Sequence, residues 1–222
     1  MHDVGGDTLA RPSLIGGARR VWRQGIGGTL LVLGALLGGA LAAEAHPHVW
    51  IDTVATFVFD RGKLVSLRIE WTFDETFSDT LLHEVHATKQ SGRLNEQQVK
   101  HLYEKDFDNL KTEQYFIHLY AGGRRLPIRE VSDFSAANRD ARLVYRFTVP
   151  LPAPLDPVTT PVALSVYDDT YFVEVAFDEA APVLFVGGPD PACRAEVSED
   201  RQHPIYFGMV FPQQVRLACR RG

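Results

Sequence analysis

VWIDTVATFVFDRGKLVSLRIEWTF, residues 49–73, decides the fold. In its first half Val49, Ile51, Ala55, Phe57 and Phe59 fall on alternate positions, with His48, Trp50 and Asp52 on the opposite face. A period of two is the mark of a strand with one buried face. Asp60-Arg61-Gly62 is a hairpin signal, glycine supplying the positive φ of a bulged turn. The return strand alternates again, with Val65, Leu67, Ile69, Trp71 and Phe73 expected inward and Ser66, Arg68, Glu70 and Thr72 toward water.

Beyond Phe73 the period becomes helical. Asp74 is a candidate N-cap, and Phe77, Leu81 and Val85 lie four apart on one face. A second helix is expected after Ser91-Gly92, capped near Asn95, with Val99, Leu102, Tyr103, Phe107 and Leu110 as its apolar stripe. Strand signals return over 114–121, 141–149, 162–167 and 171–177, while the proline-rich PLPAPLDP stretch reads as a connector that cannot be a central strand. The pattern predicts an α+β, β-sandwich-like antiparallel domain with a helical hairpin inserted over about residues 74–111. The Gly- and Pro-rich tail after Pro182 is expected to be irregular.

Ahead of this body, Arg11, Arg19, Arg20 and Arg23 precede an apolar, acid-free run from Ile26 to Ala43, then Ala43-Glu44-Ala45. Basic residues, an apolar stretch and a small-x-small boundary are the layout of a secretory signal peptide over residues 1–45. Cleavage after Ala42 fits the same rule, and the run approaches the ~20 residues of a retained anchor, although five glycines make poor anchor chemistry. Export to the periplasm is the expectation, with His46 the new amino terminus.

Composition narrows the function. The chain of 222 residues is 45% hydrophobic, enough for a packed core. Removing residues 1–45 takes four arginines and three acids from totals of 23 basic and 28 acidic residues, leaving a net charge of −6. Such a balance argues against a nucleic-acid or anionic-lipid surface. Cys193 and Cys219 are the only cysteines, and an isolated pair in an exported chain points to a disulfide pinning the tail, worth ~3 kcal/mol. No G-x-S-x-G, phosphate loop or catalytic cysteine is present, so no enzyme is expected.

Three groups of residues carry metal chemistry. His46 and His48 offer an amino-terminal amine and two imidazoles, a nitrogen set suited to nickel or copper once His46 is exposed by cleavage. The bland alternative has these histidines solvated at the start of an edge strand, with Trp50 packed under the helices. His83 and His86 are one turn apart on a helix face, within reach of one ion, although a single pair is too few for a closed zinc site. Asp168-Asp169 reads first as a tight turn, and second as an acidic loop for a cation or a permease. His101, His118 and His203 have no recognisable partners in the sequence.

The run His46-Pro47-His48-Val49-Trp50-Ile51-Asp52, followed by Trp71-Thr72-Phe73-Asp74-Glu75-Thr76-Phe77-Ser78 and Tyr167-Asp168-Asp169-Thr170-Tyr171-Phe172, resembles a bacterial family of unknown function. Its members are described as the periplasmic component of an uncharacterised ABC-type transport system, often linked to nickel/cobalt permeases. The resemblance implies a periplasmic accessory or metal-binding component of nickel, cobalt or zinc transport, partnered by an inner-membrane permease. Many members carry an EF-hand-like stretch between the helices. Here its ligand positions would be Ala87, Lys89, Ser91 and Gln98, so a calcium site is expected to be lost and the turn at Gly92 kept. The competing readings are a protein-binding domain that docks a permease without metal and a copper oxidase built on the amino-terminal histidine.

Overall fold

The computed structural model describes residues 47–90, 92–188 and 192–220, apart from the side chain of Ala192. The expected leader and His46 lie outside the described residues. Strands β1 (Val49–Asp60) and β2 (Lys63–Phe73) form the expected antiparallel hairpin, with Ile51 opposite Phe73 and Phe57 opposite Leu67. The predicted faces hold along β1. On β2 a bulge near its start turns Leu64 into the core, where Val65 was expected, while Leu67, Ile69, Trp71 and Phe73 are buried as the alternation predicts.

After β2 come helix α1 (Glu75–Glu84), helix α2 (Glu96–Leu102), a π-helical turn (Tyr103–Phe107) and a 3-10 turn (Asp108–Lys111). Both caps are as the sequence predicts. Asp74 Oδ1 accepts from Phe77 N at 2.9 Å, and Asn95 forms a capping box with Gln98. The strands that follow are β3 (Ile117–Ala121), β4 (Arg124–Leu126), β5 (Ser132–Arg139), β6 (Arg142–Leu155), β7 (Val162–Val166), β8 (Val173–Phe177), β9 (Val183–Val186), β10 (Ala192–Glu199) and β11 (Gln213–Arg220).

Two sheets result. One runs β5-β6-β2-β1-β8, with β9 also pairing β1, and the other β10-β11-β7-β3-β4. The fold is therefore α+β with sandwich-like sheets, as predicted, and two features go beyond the expectation. β1 is central rather than an edge, because β8 and β9 join it in parallel. The tail after Pro182 is mostly strand: β10 and β11 pair antiparallel, and the Cys193–Cys219 bridge joins directly opposed residues.

The proline-rich segment is also strand, since β6 continues through Pro150, Pro152 and Pro154 to Leu155. β5 pairs with β6 only as far as Thr148, so the prolines lie where β6 has β2 alone beside it, an edge position that tolerates proline. Between the sheets an aromatic cluster fills the core. Trp71 packs edge-on to Phe147 at 4.9 Å and also meets Phe107 and Phe116, which brings β2, the π-helical turn and the approach to β3 together.

Candidate functional site

The entrance to β1 and the 168–172 turn, separated by more than a hundred residues of chain, meet at one end of the first sheet. His48 N donates to Phe172 O at 2.9 Å, and the His48 ring lies 4.8 Å from that of Phe172. Parallel pairing of Val49 with Val173 continues the join. The structure thus brings two of the predicted metal-ligating groups, His48 and Asp168-Asp169, to one rim. Trp50 is half-exposed at 46%, so it does not pack under the helices as the bland reading has it.

The two aspartates differ. Asp168 is buried, and its carboxylate accepts from the Thr170 N–H (2.9 Å), the Thr170 hydroxyl (2.7 Å) and the Val173 N–H (3.1 Å). That is an Asx-type turn, the structural role the sequence puts first. Asp169 is exposed, and among the described residues its hydrogen bond is made by its carbonyl, which accepts from Tyr206 N at 3.2 Å. Asp52, on the same strand face as His48, pairs with Arg142 at 2.8 Å.

His83 and His86 lie elsewhere, exposed at the end of α1, and the backbone between them is not the continuous helix that the sequence suggests. The helix stops at Glu84, and His86 takes a left-handed φ of 53° while Ala87 N donates back to Leu82 O at 2.8 Å. This is a Schellman closure with His86 where glycine is usual, so the two residues do not share a continuous helical turn. Burial of Val85 and Ala87 on either side of His86 holds the chain to this path. Among the described residues no three His, Cys, Asp or Glu side chains are grouped to hold one metal ion.

Behind the rim lies a cavity of about 540 Å³. Trp71 and Tyr145 form its floor, α1 contributes Phe77 and Leu81, the π-helical turn contributes Asp106, and Phe172 stands at the mouth. Burial, together with the nearby Glu84 carboxylate, pushes the Asp106 carboxyl up to about 6, against a smaller downward pull from His101. Asp106 falls on the stripe of α2, four residues after Leu102. An acid on an apolar stripe is the sequence signal that would have found it.

The remaining histidines have partners that the sequence does not reveal. His101 Nε2 lies 2.9 Å from Glu84, and His203 Nδ1 lies 2.8 Å from the fully buried Asp200. His118 is buried, with its ring stacked on Tyr167, and desolvation lowers its imidazole to about 4.

A family model described as a protein of unknown function, DUF1007, matches residues 31–207, well over half of the chain. The chain belongs to that family. The DUF1007 match covers both the rim and the cavity. Two relatives are described as uncharacterised proteins. One is a 15.5 kDa protein from the trpE 3' region of Spirochaeta aurantia, 38% identical over 131 residues, which are 57% of this chain and 90% of the relative. The other, from Haemophilus influenzae, is 27% identical over 157 residues, 70% of this chain and 73% of the relative.

Proposed function

We propose that the protein is a non-catalytic accessory of transition-metal transport working in the periplasm, which takes up a divalent ion (nickel, cobalt, zinc or copper) at its amino-terminal imidazoles and exchanges it with an inner-membrane permease. The observation that carries this reading is the docking of His48 on the 168–172 turn, which puts an imidazole and the exposed Asp169 on one rim. His46, two residues earlier, would add an amine and a second imidazole, a mixed nitrogen and oxygen set suited to these ions. The Cys193–Cys219 bridge suits an oxidising compartment. Among the described residues no helix is long and apolar enough to cross a membrane.

Metal titration of the processed protein tests the reading, with the mature amino terminus first fixed by mass. Replacing His46 and His48 together by Ala is expected to weaken binding at least tenfold, and Asp169→Asn by less. Unchanged affinity in the double variant overturns the site.

A metal-free docking role has its own support. The tip 205–211, closed by the Ile205–Val210 bridge, leaves Phe207 94% and Met209 64% exposed, and its Tyr206 packs against Tyr171 of the rim turn. Exposed apolar tips of this kind mark contact surfaces. Recovery of a permease from membranes by the protein in chelator, lost in Phe207→Ser, would favour docking over metal exchange.

A further inference from the structure

The cavity behind the rim has a chemistry that metal capture does not use. Its volume, about 540 Å³, lies in the range of small-molecule sites, roughly 300–1,000 Å³. Three polar atoms of its lining residues are buried beneath the cavity surface and have no hydrogen-bond partner among the described residues: Trp71 Nε1, the Tyr145 hydroxyl and Asp106 Oδ2. Trp71 is 0% and Tyr145 2% exposed, so neither side chain reaches bulk water. Buried polar groups are nearly always satisfied, and each one left alone costs about 1–3 kcal/mol. The fold itself leaves these groups unused, beside a cavity of ligand size.

Charge and surface specify that ligand. Every charged side chain lining the cavity is acidic: Asp106, Glu113, Asp168 and Asp169. The wall is otherwise largely aromatic, and aromatic faces attract cations as they bury apolar bodies. An apolar anion would meet four carboxylates, whereas a bare metal ion would meet a wall that is mostly aromatic and aliphatic. Asp106 is carried by the π-helical turn, an insertion of one residue into a helical path that recurs at functional sites.

We infer that this cavity binds a small hydrophobic organic cation: an amine on an apolar body, its nitrogen paired with the Asp106 carboxylate and its body against the aromatic wall. The inference shares the Asp169 carboxylate with the metal reading but uses neither His46 nor His48, and titration in chelator separates the two.

The test titrates the disulfide-bonded protein at pH 8, in chelator, with 4-phenylbutylamine, 4-phenylbutanol and 4-phenylbutyrate, followed by calorimetry and by the Trp71 indole N–H resonance. The amine is expected to bind at least tenfold more tightly than the alcohol or the carboxylate and to shift the Trp71 resonance. Asp106→Asn should bring the amine to the level of the alcohol while leaving the alcohol unchanged, with cooperative unfolding retained. Equal affinity for the three probes, tighter binding of the carboxylate or no binding of any probe overturns the inference. So does an unmoved Trp71 resonance, which needs no variant, or an Asp106→Asn protein that keeps the preference.

Discussion

Asp168 and Asp106 line the same cavity and are the same residue type, yet their surroundings assign them opposite work. The 168–172 turn wraps its carboxylate in two backbone N–H groups and a hydroxyl, so Asp168 is consumed in holding β8 beside β1. The π-helical turn holds Asp106 with one oxygen buried and, among the described residues, without a hydrogen-bond partner, in a setting that disfavours its charge. A satisfied carboxylate organises the chain; an unsatisfied one stores a binding preference.

The largest effect expected from this contrast is on stability. Asp168→Ala leaves the Thr170 and Val173 N–H groups without their acceptor and should destabilise the protein by about 3 kcal/mol, because hydrogen bonds to charged groups contribute ~1.5–3 kcal/mol each. Urea unfolding followed by Trp fluorescence reads this directly. A loss below about 1 kcal/mol would remove the structural role from Asp168 and return the residue to the candidate ligands.

Asp106→Leu should move stability the other way. At pH 8 it replaces a half-buried charge, unpartnered at one oxygen, by an apolar group facing an apolar cavity, with an expected gain of about 1 kcal/mol. Denaturant midpoints at pH 8 check it, and a loss of stability would mean that the Asp106 carboxylate is internally satisfied.

The pH dependence of the two titrating groups sharpens the point, because their signs differ. Asp106 has its folded carboxyl raised to about 6, so between the unfolded value near 4 and that value the folded state holds the extra proton. Its contribution to stability therefore falls as pH rises from about 4 to 6. The groups that set this are its own burial, Glu84 and His101. His118 is lowered to about 4, so the unfolded state binds the extra proton between about 4 and 6.5, and stability is lost as pH falls through that window. Relative to the parent, Asp106→Asn should gain stability as pH rises from 4 to 7, and His118→Gln should gain it as pH falls. Parallel profiles for parent and variants would show that neither group titrates as its environment implies.

Much of this geometry is legible in the sequence wherever one rule acts alone. The period of two in 49–59 and 64–73 predicts the central hairpin, and Asp74 and Asn95 predict both helix starts, because a cap is a local contact. The prolines of β6 mislead because whether a proline is tolerated depends on where the neighbouring strand ends, and the end of β5 is a tertiary fact. β10 and β11 are masked by flanking Gly and Pro, although Val215 and Leu217 carry the alternation. The π-helical turn leaves no periodic trace, since Val99, Leu102 and Tyr103 satisfy an α-helical stripe equally well. Asp106 is legible only as an acid four residues after Leu102 on that stripe, and the turn at His86 is not legible, because the Schellman closure depends on burial of Val85 and Ala87.

The smallest effect belongs to the rim. Asp169 is exposed and its carboxylate takes no part in the turn, so Asp169→Ala should change stability by less than about 0.5 kcal/mol, the usual range for surface substitutions. His48→Ala should do little more, because the strand junction rests on its backbone N–H and the ring contributes only its contact with Phe172. Small stability effects are what a ligand-facing rim requires: residues kept for binding need not hold the fold. Unfolding curves for both variants against Asp168→Ala place the boundary between scaffold and site within two adjacent residues. A loss at Asp169 approaching that at Asp168 would show the turn to be structural throughout and leave the amino-terminal imidazoles without an acidic neighbour to share a metal.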